Sequence, residues 1–486
     1  MKKIFIKISS LVMVITILSG CKKEYLQTAP TGSVPSEGVF TTTDGALVAL
    51  NGTYRYMWNS LGGSHGHFGQ KSHDLTMDVM GNDMVIHGTS YGWFNAENRL
   101  TAQLNPAPNQ RSAFTWEYYY RVINNANIII KNIDGATGAA ADKDYIKGQA
   151  LALRAYNYFY LINLFQHTYK GNESKPGVPL YTEPGTEGKP RGKVSDVYTQ
   201  IITDLKAAET LLAGKTRKQF AHINQSTVRG IYARVALQME DWTTAATKAA
   251  EARAGYALMT NAQYAAGFSV KNSEWIWGLE IPNDQSTIFA SFFSHFDANT
   301  LSYAQLGMQK KITKELYDQI PATDIRKANF RTPGTATGTF PDYTSNKFKL
   351  PTAGSWAADY ILLRSAEMYL IEAEANARLG DVAKSKAALE ALIKPRNPAY
   401  VAPATAAELI TESLLQRRIE LWGEGFSLLD IKRLKLPLNR ASGVGNHLPA
   451  IAVIFTLPAE DKDWLFRIPQ SEIDANESIN PEDQNP

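Results

Sequence analysis

Cysteine is almost missing from this sequence: one residue, Cys21, in a chain of 486. A lone thiol excludes internal disulfides, so the fold must stand on its buried core. Long hydrophobic runs are missing too, because the apolar stretch at residues 8–18 is too short for a bilayer-spanning helix. Charge of one sign is nearly balanced, 50 Lys and Arg against 47 Asp and Glu, and no basic cluster follows the first residues. A net charge of +3 without such a cluster argues against a nucleic-acid partner. The chain carries no G-x-S-x-G nucleophile elbow, no phosphate-binding P-loop and no G-x-G-x-x-G dinucleotide fingerprint. What remains is 44% apolar and 20% charged, the ordinary make-up of a folded domain, at a length sufficient for a large core.

The N-terminus reads as an export signal. Lys2, Lys3 and Lys7 precede the apolar stretch, and Leu18-Ser19-Gly20-Cys21 closes it with wording that resembles a bacterial lipobox. Residues 1–20 are then a lipoprotein signal peptide, and Cys21 carries the lipid anchor after cleavage. A simple cleaved signal with an incidental cysteine is the competing reading. Two or more acyl chains hold a protein on a membrane where a single chain is marginal. Residues 21–43 are polar, contain Pro and Gly, and serve as a tether.

Two stretches share a helix–turn–helix grammar. In residues 360–392, Leu362, Ala366, Tyr369, Leu370, Ala373 and Ala377 recur at helical spacing, Gly380 stops the helix, and Asp381 can cap an alanine-rich successor. Glu374 stands four residues before Arg378, the favourable order for a helical ion pair. Val228, Ile231, Tyr232, Val235 and Met239 repeat the pattern earlier, with Asp241 in the place of Asp381. The wording resembles a tetratricopeptide repeat, but the two hairpins are about 140 residues apart against a usual period of roughly 34. A regular solenoid is excluded, and the repeats read as dispersed.

Further helices are expected at residues 44–58, from 111, at 144–165, 194–212 and 413–434, while 441–486 reads as coil. Two long segments, 60–105 and 265–355, lack a helical period, and such segments are functional or disordered more often than not. Within the second, residues 275–281 alternate like a short strand. The expected fold is mainly α, a scaffold of tetratricopeptide-like hairpins with long irregular insertions and a few short strands. The expected organisation is 44–215 and 216–486 as two regions of one intertwined unit, each carrying one insertion.

The chemistry-bearing clusters divide unequally. His65, His67, His73, Asp74 and Asp78 could be metal ligands, but they sit among glycines without a strand pattern, so ordinary loop histidines are the expectation and no metal is assigned. Arg417, Arg418, Glu420 and Glu424 read as charges bridging neighbouring helices, and Asp324 with Arg326 as a structural pair. Tyr118, Tyr119, Tyr156, Tyr160 and Trp422 lie in helical sequence and read as core, as do Trp275 and Trp277. The loop aromatics point to function. A sugar offers an apolar C–H face and a rim of hydroxyls, and its site wants a flat aromatic beside hydrogen-bonding groups. Tyr91 and Trp93 with Asn82 and Asp83, and His295 and Phe296 with Tyr303, supply that mixture. These seven residues are expected to line one shallow groove, provided that the two insertions converge.

Four stretches together resemble the SusD/RagB family of nutrient-binding outer-membrane lipoproteins. They are the R-A-Y-x-Y-F-x-L helix from Arg154 to Leu161; Arg364-x-Ala366-Glu367 with Ala373-Glu374-Ala375; Arg417-Arg418-x-Glu420-Leu421 with Glu424-Gly425 and Asp430; and Ile468-Pro469-Gln470 with the closing Gln484-Asn485-Pro486. Gln416 and Glu477 depart from the family pattern. The resemblance implies a helical bundle with four tetratricopeptide-like units and a role without catalysis or cofactor. It implies capture of an oligosaccharide or other nutrient at the cell surface, in partnership with a SusC-like TonB-dependent transporter, on an outer membrane reached through the lipid anchor. The rival class is a lipid-anchored glycoside or metal-dependent hydrolase, for which chelator-sensitive turnover would be the signature.

Overall fold

The structure, a computed structural model, describes residues 36–60 and 64–486; Cys21, the signal sequence and most of the tether lie outside the described residues. Its scaffold consists of helices α1 (Thr43–Tyr56), α2 (Gln70–Val79), α3 (Arg111–Asn132), α4 (Ala140–Phe165), α5 (Val194–Leu211), α6 (Gln225–Met239), α7 (Trp242–Arg253), α8 (Ser365–Arg378), α9 (Val382–Ile393), α10 (Ala406–Glu420) and α11 (Ser427–Arg433). The chain is therefore mainly α. Successive helices pack in order from α3 through α7, and α7 then packs on α8. The two repeat hairpins, distant in sequence, are thus neighbours in space. Arg253 on α7 pairs with Glu372 on α8 at 2.7 Å, and Arg378 covers the ring of Trp242 at 4.7 Å. The array that sequence spacing seemed to break is continuous, with residues 254–364 leaving it and returning.

Each hairpin turn has the expected cause. Asp241 accepts the Thr244 N–H at 3.1 Å and Asp381 accepts the Lys384 N–H at 3.0 Å, so the same carboxylate cap starts α7 and α9. Gly230 on α6 lies where a methyl group would meet the Leu363 side chain at 2.4 Å, so the absence of a side chain there allows the return strand to come close.

Three expectations are corrected. Residues 360–364 are not helix but strand β6 (Tyr360–Arg364), paired antiparallel with β4 (Trp275–Leu279), and α8 begins at Ser365. The helix expected over 413–434 is two helices, because Gly423 and Gly425 take left-handed φ of 80° and 95° between α10 and α11. A methyl group on Gly425 would lie 2.7 Å from Asp74 Cα, so α2 passes directly beneath this turn. The first insertion, in turn, contains a full helix. All ten residues of α2 are buried, most of them polar. Its sequence is short, mostly polar and preceded by glycines, so it does not announce a buried helix. Several of its polar groups find partners inside: Asp78 accepts the N–H groups of Gly425 and Ser427 at 2.8 and 3.1 Å, and Gln70 donates to Asp74 at 2.9 Å.

The strands are short, in two-stranded antiparallel sheets. Besides β4 and β6, β2 (Pro176–Pro179) pairs with β3 (Arg191–Lys193), and β7 (Leu438–Asn439) with β8 (Thr456–Leu457). The pair that matters for the site is β1 (Met84–Ile86) with β5 (Lys310–Ile312), because β1 belongs to the first insertion and β5 to the second. This ladder sews the insertions together. The coil-rich tail is held down by side chains: buried Arg440 donates to the carbonyls of Val79, Gly81, Asn98 and Ile454, satisfying the end of α2.

Candidate functional site

Beyond β1 and β5 the two insertions meet in a surface of rings. His65 stands at its centre, with its ring 4.6 Å from Trp93, 4.8 Å from Tyr303 and 5.6 Å from Phe289. Tyr91 stacks on Tyr303 at 4.9 Å, and Phe289 meets Tyr303 edge-on at 5.7 Å. Tyr91 is 51% and Phe289 56% exposed, which is unusual for rings of this size, while Trp93 and Tyr303 are half-buried. The His65 imidazole bonds to the Phe289 carbonyl through Nδ1 at 2.9 Å, so Nδ1 carries the proton. The loop from 88 to 94 turns tightly: the Gly92 N–H donates to the Thr89 carbonyl, and Phe94 adopts a left-handed φ of 63° with its ring buried. Tyr91 is thereby turned outward from a loop pinned by its neighbour, while Trp93 lies half-buried against the edge of the core.

The remaining expected site residues go elsewhere. His295 and Phe296 are fully or almost fully enclosed, which corrects the expectation that they face a ligand. His295 donates through Nε2 to the His65 carbonyl at 3.0 Å, and Lys310, also buried, points at its Nδ1 at 3.4 Å. Burial, then the Lys310 charge, push the His295 pKa far below its ordinary value, so the ring is neutral and acts as a strut beneath the surface. Burial also brings the Lys310 ammonium down to about 7. Phe296 packs against Phe292, Phe348 and Trp422. Aromatic content marked this loop in sequence, and most of that content is core.

Asn82 and Asp83 stand at the opposite end of β1 from Tyr91 and Trp93. Asp83 holds the Arg418 guanidinium at 2.6 and 2.9 Å, and its carbonyl accepts Trp422 Nε1. Asn82 accepts the Asn439 N–H. Both line a separate cavity of about 520 Å³ with Arg417, Trp422 and Leu434. The expected single groove is thus resolved into a surface of rings, a buried support and a distant cavity wall. Sequence reading missed His65 as a platform member, because beside His67 it looked like a metal ligand, and missed Phe289, which directly precedes the aromatic run at 292–296.

The charged motifs converge inside the protein. Arg364 spends all five donors on Glu274, Glu420, Glu424 and the Glu420 carbonyl, at 2.7–2.8 Å. Lys347 reaches Glu424 at 2.6 Å, Arg326 pairs with Asp324 and Glu420, and Arg396 with Glu274. Burial raises the Glu420 and Glu424 pKa values, but Arg364 and the other cations outweigh it, holding Glu420 far below the carboxylate range and Glu424 at about 2. Carboxylates so firmly ionised and enclosed are poor proton donors at neutral pH. Among the described residues, no group of three or more His, Cys, Asp or Glu is placed to hold a metal ion. None of the helices described is long and apolar enough to cross a membrane.

A helical array that presents a loop-borne aromatic surface defines a class of binding proteins, and comparison with known proteins says which. Residues 58–237 match the family model described as "Starch-binding associating with outer membrane", and residues 246–486 match "SusD family". The chain belongs to the SusD/RagB family, as its motifs implied, and that family is associated with the outer membrane. It is 26% identical to SusD-like protein P2 of Formosa agariphila over 98% of each chain. To SusD-like protein P25 of the same organism it is 25% identical, over 57% of this chain and 53% of that protein. The crystal structure of a SusD-like carbohydrate binding protein from Bacteroides vulgatus superposes with a TM-score of 0.80 at 29% identity, covering 92% of this chain and 98% of the other.

Proposed function

We propose that this protein is a lipid-anchored cell-surface binder that captures a nutrient oligosaccharide on the surface formed by Tyr91, Trp93, Tyr303, Phe289 and His65, and delivers it to a SusC-like TonB-dependent transporter. The observation that carries the reading is one patch of rings built by two separate insertions, in which exposed Tyr91 and Phe289 stand beside half-buried Trp93, Tyr303 and His65. Exposed large aromatics cost solvation free energy, and a contiguous patch of them marks a binding surface. Sugars suit it, since C–H faces stack on rings while hydroxyls stay hydrated. The similarity to a carbohydrate-binding structure and the family membership support the same reading. Capture proceeds without bond cleavage, because the ionised carboxylates are locked in internal ion pairs away from the rings. Cys21 provides the acylation site, and the polar stretch after it gives the slack that a transporter's lid requires.

The direct test measures affinity of the mature protein for a panel of oligosaccharides, alongside Trp93→Ala and Tyr91→Ala. Binding that both substitutions weaken, with no hydrolysis product, supports the proposal. Turnover of any panel member, or affinity indifferent to both substitutions, refutes it. Co-purification of a large barrel protein from mild detergent tests the transporter partnership.

A further inference from the structure

The segments that build the ring surface are residues 64–69, 84–96 and 285–309, 44 residues in all. At the chain-wide charged fraction of 20% they would hold about nine Asp, Glu, Lys or Arg. They hold one, Asp297, and it is fully buried, accepting the N–H groups of Thr300 and Leu350. Of the charges bordering these segments, Asp284 is exposed and is itself negative, while Glu97 and Lys310 are withdrawn from the surface. Glu97 is buried against Arg111 at 2.7 Å, and Lys310 donates inward to the Met308 carbonyl. Lys311, on β5, lies beside His87 and Asp342. The same segments carry Thr89, Ser90, Ser286, Thr287, Asn299 and Thr300: short, neutral hydrogen-bonding side chains.

We infer that this site selects neutral saccharides and rejects anionic ones, those bearing uronate carboxylates or sulfate esters. The inference rests on the proposal that the ring surface binds a glycan, and it names the class. Two physical effects act in the same direction. A carboxylate or sulfate brought onto the surface loses water and finds no guanidinium or ammonium to replace it, so its desolvation goes uncompensated. Aromatic faces carry the negative lobe of the ring quadrupole, so an anion placed over them is repelled. A neutral sugar meets neither penalty: its C–H face lies on Trp93, Tyr91 and Tyr303 while its hydroxyls reach the Ser, Thr and Asn rim. Binding of this kind is also nearly independent of ionic strength, because no ion pair is screened.

The test titrates the mature protein with two matched sets, neutral glucan, mannan and xylan oligosaccharides against oligogalacturonate, alginate and sulfated galactan fragments, at about 50 and 500 mM salt. The expected result is binding confined to the neutral set, unchanged by salt within about twofold and weakened about tenfold or more by Trp93→Ala. A Ser90→Arg variant places a guanidinium beside the rings and is expected to gain affinity for the anionic set at low salt. Binding of an anionic glycan that Trp93→Ala abolishes overturns the neutral selectivity while leaving the ring surface as the glycan site. No binding from either set, or binding untouched by Trp93→Ala, overturns both.

Discussion

Arg364→Met is the sharpest probe of what holds this protein together. The substitution keeps the length and apolar stem of the side chain but removes a guanidinium whose five donors are all bonded. Glu274 keeps Arg396, Glu420 keeps Arg326 and Glu424 keeps Lys347, so no carboxylate is left wholly alone. Three buried carboxylates then face three cations at longer or single contacts, and removing one partner from such a cluster costs ~3–5 kcal/mol. With about 2.1 cal/mol/K of unfolding entropy per residue and roughly 450 described residues, 1 kcal/mol corresponds to about 1 °C, so Tm falls by about 3–5 °C at pH 7. The pH dependence is more telling. Glu420 and Glu424 have folded pKa values below the unfolded value of about 4.3, so their stabilisation is complete above that pH and is lost as pH falls towards about 2. Without Arg364 both pKa values rise, and the gap between variant and parent narrows between pH 5 and pH 3. Differential scanning fluorimetry or calorimetry across that range measures it. A gap under about 1 °C at pH 7, or one that stays constant down to pH 3, would refute the assignment of Arg364 as the centre of the charge cluster.

Other outcomes follow from the same geometry. Trp93→Ala is expected to cost about 1–3 kcal/mol of glycan affinity while moving Tm by only about 1–2 °C, since a half-buried loop ring packs on the edge of the core and not within it; a large Tm drop with intact affinity would make Trp93 a plug for its own loop. Cys21→Ser is expected to move the protein from the membrane fraction to the soluble one, and continued membrane association on fractionation would count against a lipid anchor. Asn224→Ala removes the side-chain oxygen that accepts the Thr227 N–H at 2.9 Å at the start of α6, for a loss of ~1 kcal/mol, with Asn224→Ser recovering most of it in urea titration.

The scaffold was legible where physics is local. Caps at Asp241 and Asp381 and the four-residue spacing of Glu374 and Arg378 could be read directly, and the last pair does close at 3.0 Å. What stayed hidden was non-local. Glu374 is also held by Arg433 through two bonds of 2.7 and 2.8 Å, a partner 59 residues away that no periodicity announces. Glu420 and Glu424 read in sequence as ties between helices, and they bind chiefly Arg364, a strand residue whose sequence context looks helical. The candidate site shows the same boundary. Tyr91, Trp93 and Tyr303 are brought together as loop aromatics, but sequence offers no measure of depth, so His295 and Phe296 looked equally available. Asn82 and Asp83 were close to Trp93 in number only, because the intervening β1 carries the chain away from them.

The bond between His65 and the Phe289 carbonyl closes a loop of 224 residues. Equilibrium barely notices such a length, as each doubling of a loop adds only ~0.6 kcal/mol of closure entropy. Kinetics does notice, because contacts so distant in sequence form after the local ones that helices α3 to α7 can make at once. The order of assembly then bears on the proposed site. Its helices can settle first, and the ring surface comes into existence only when the second insertion has arrived and docked on the first. A chain caught part-way through folding lacks the ring surface altogether.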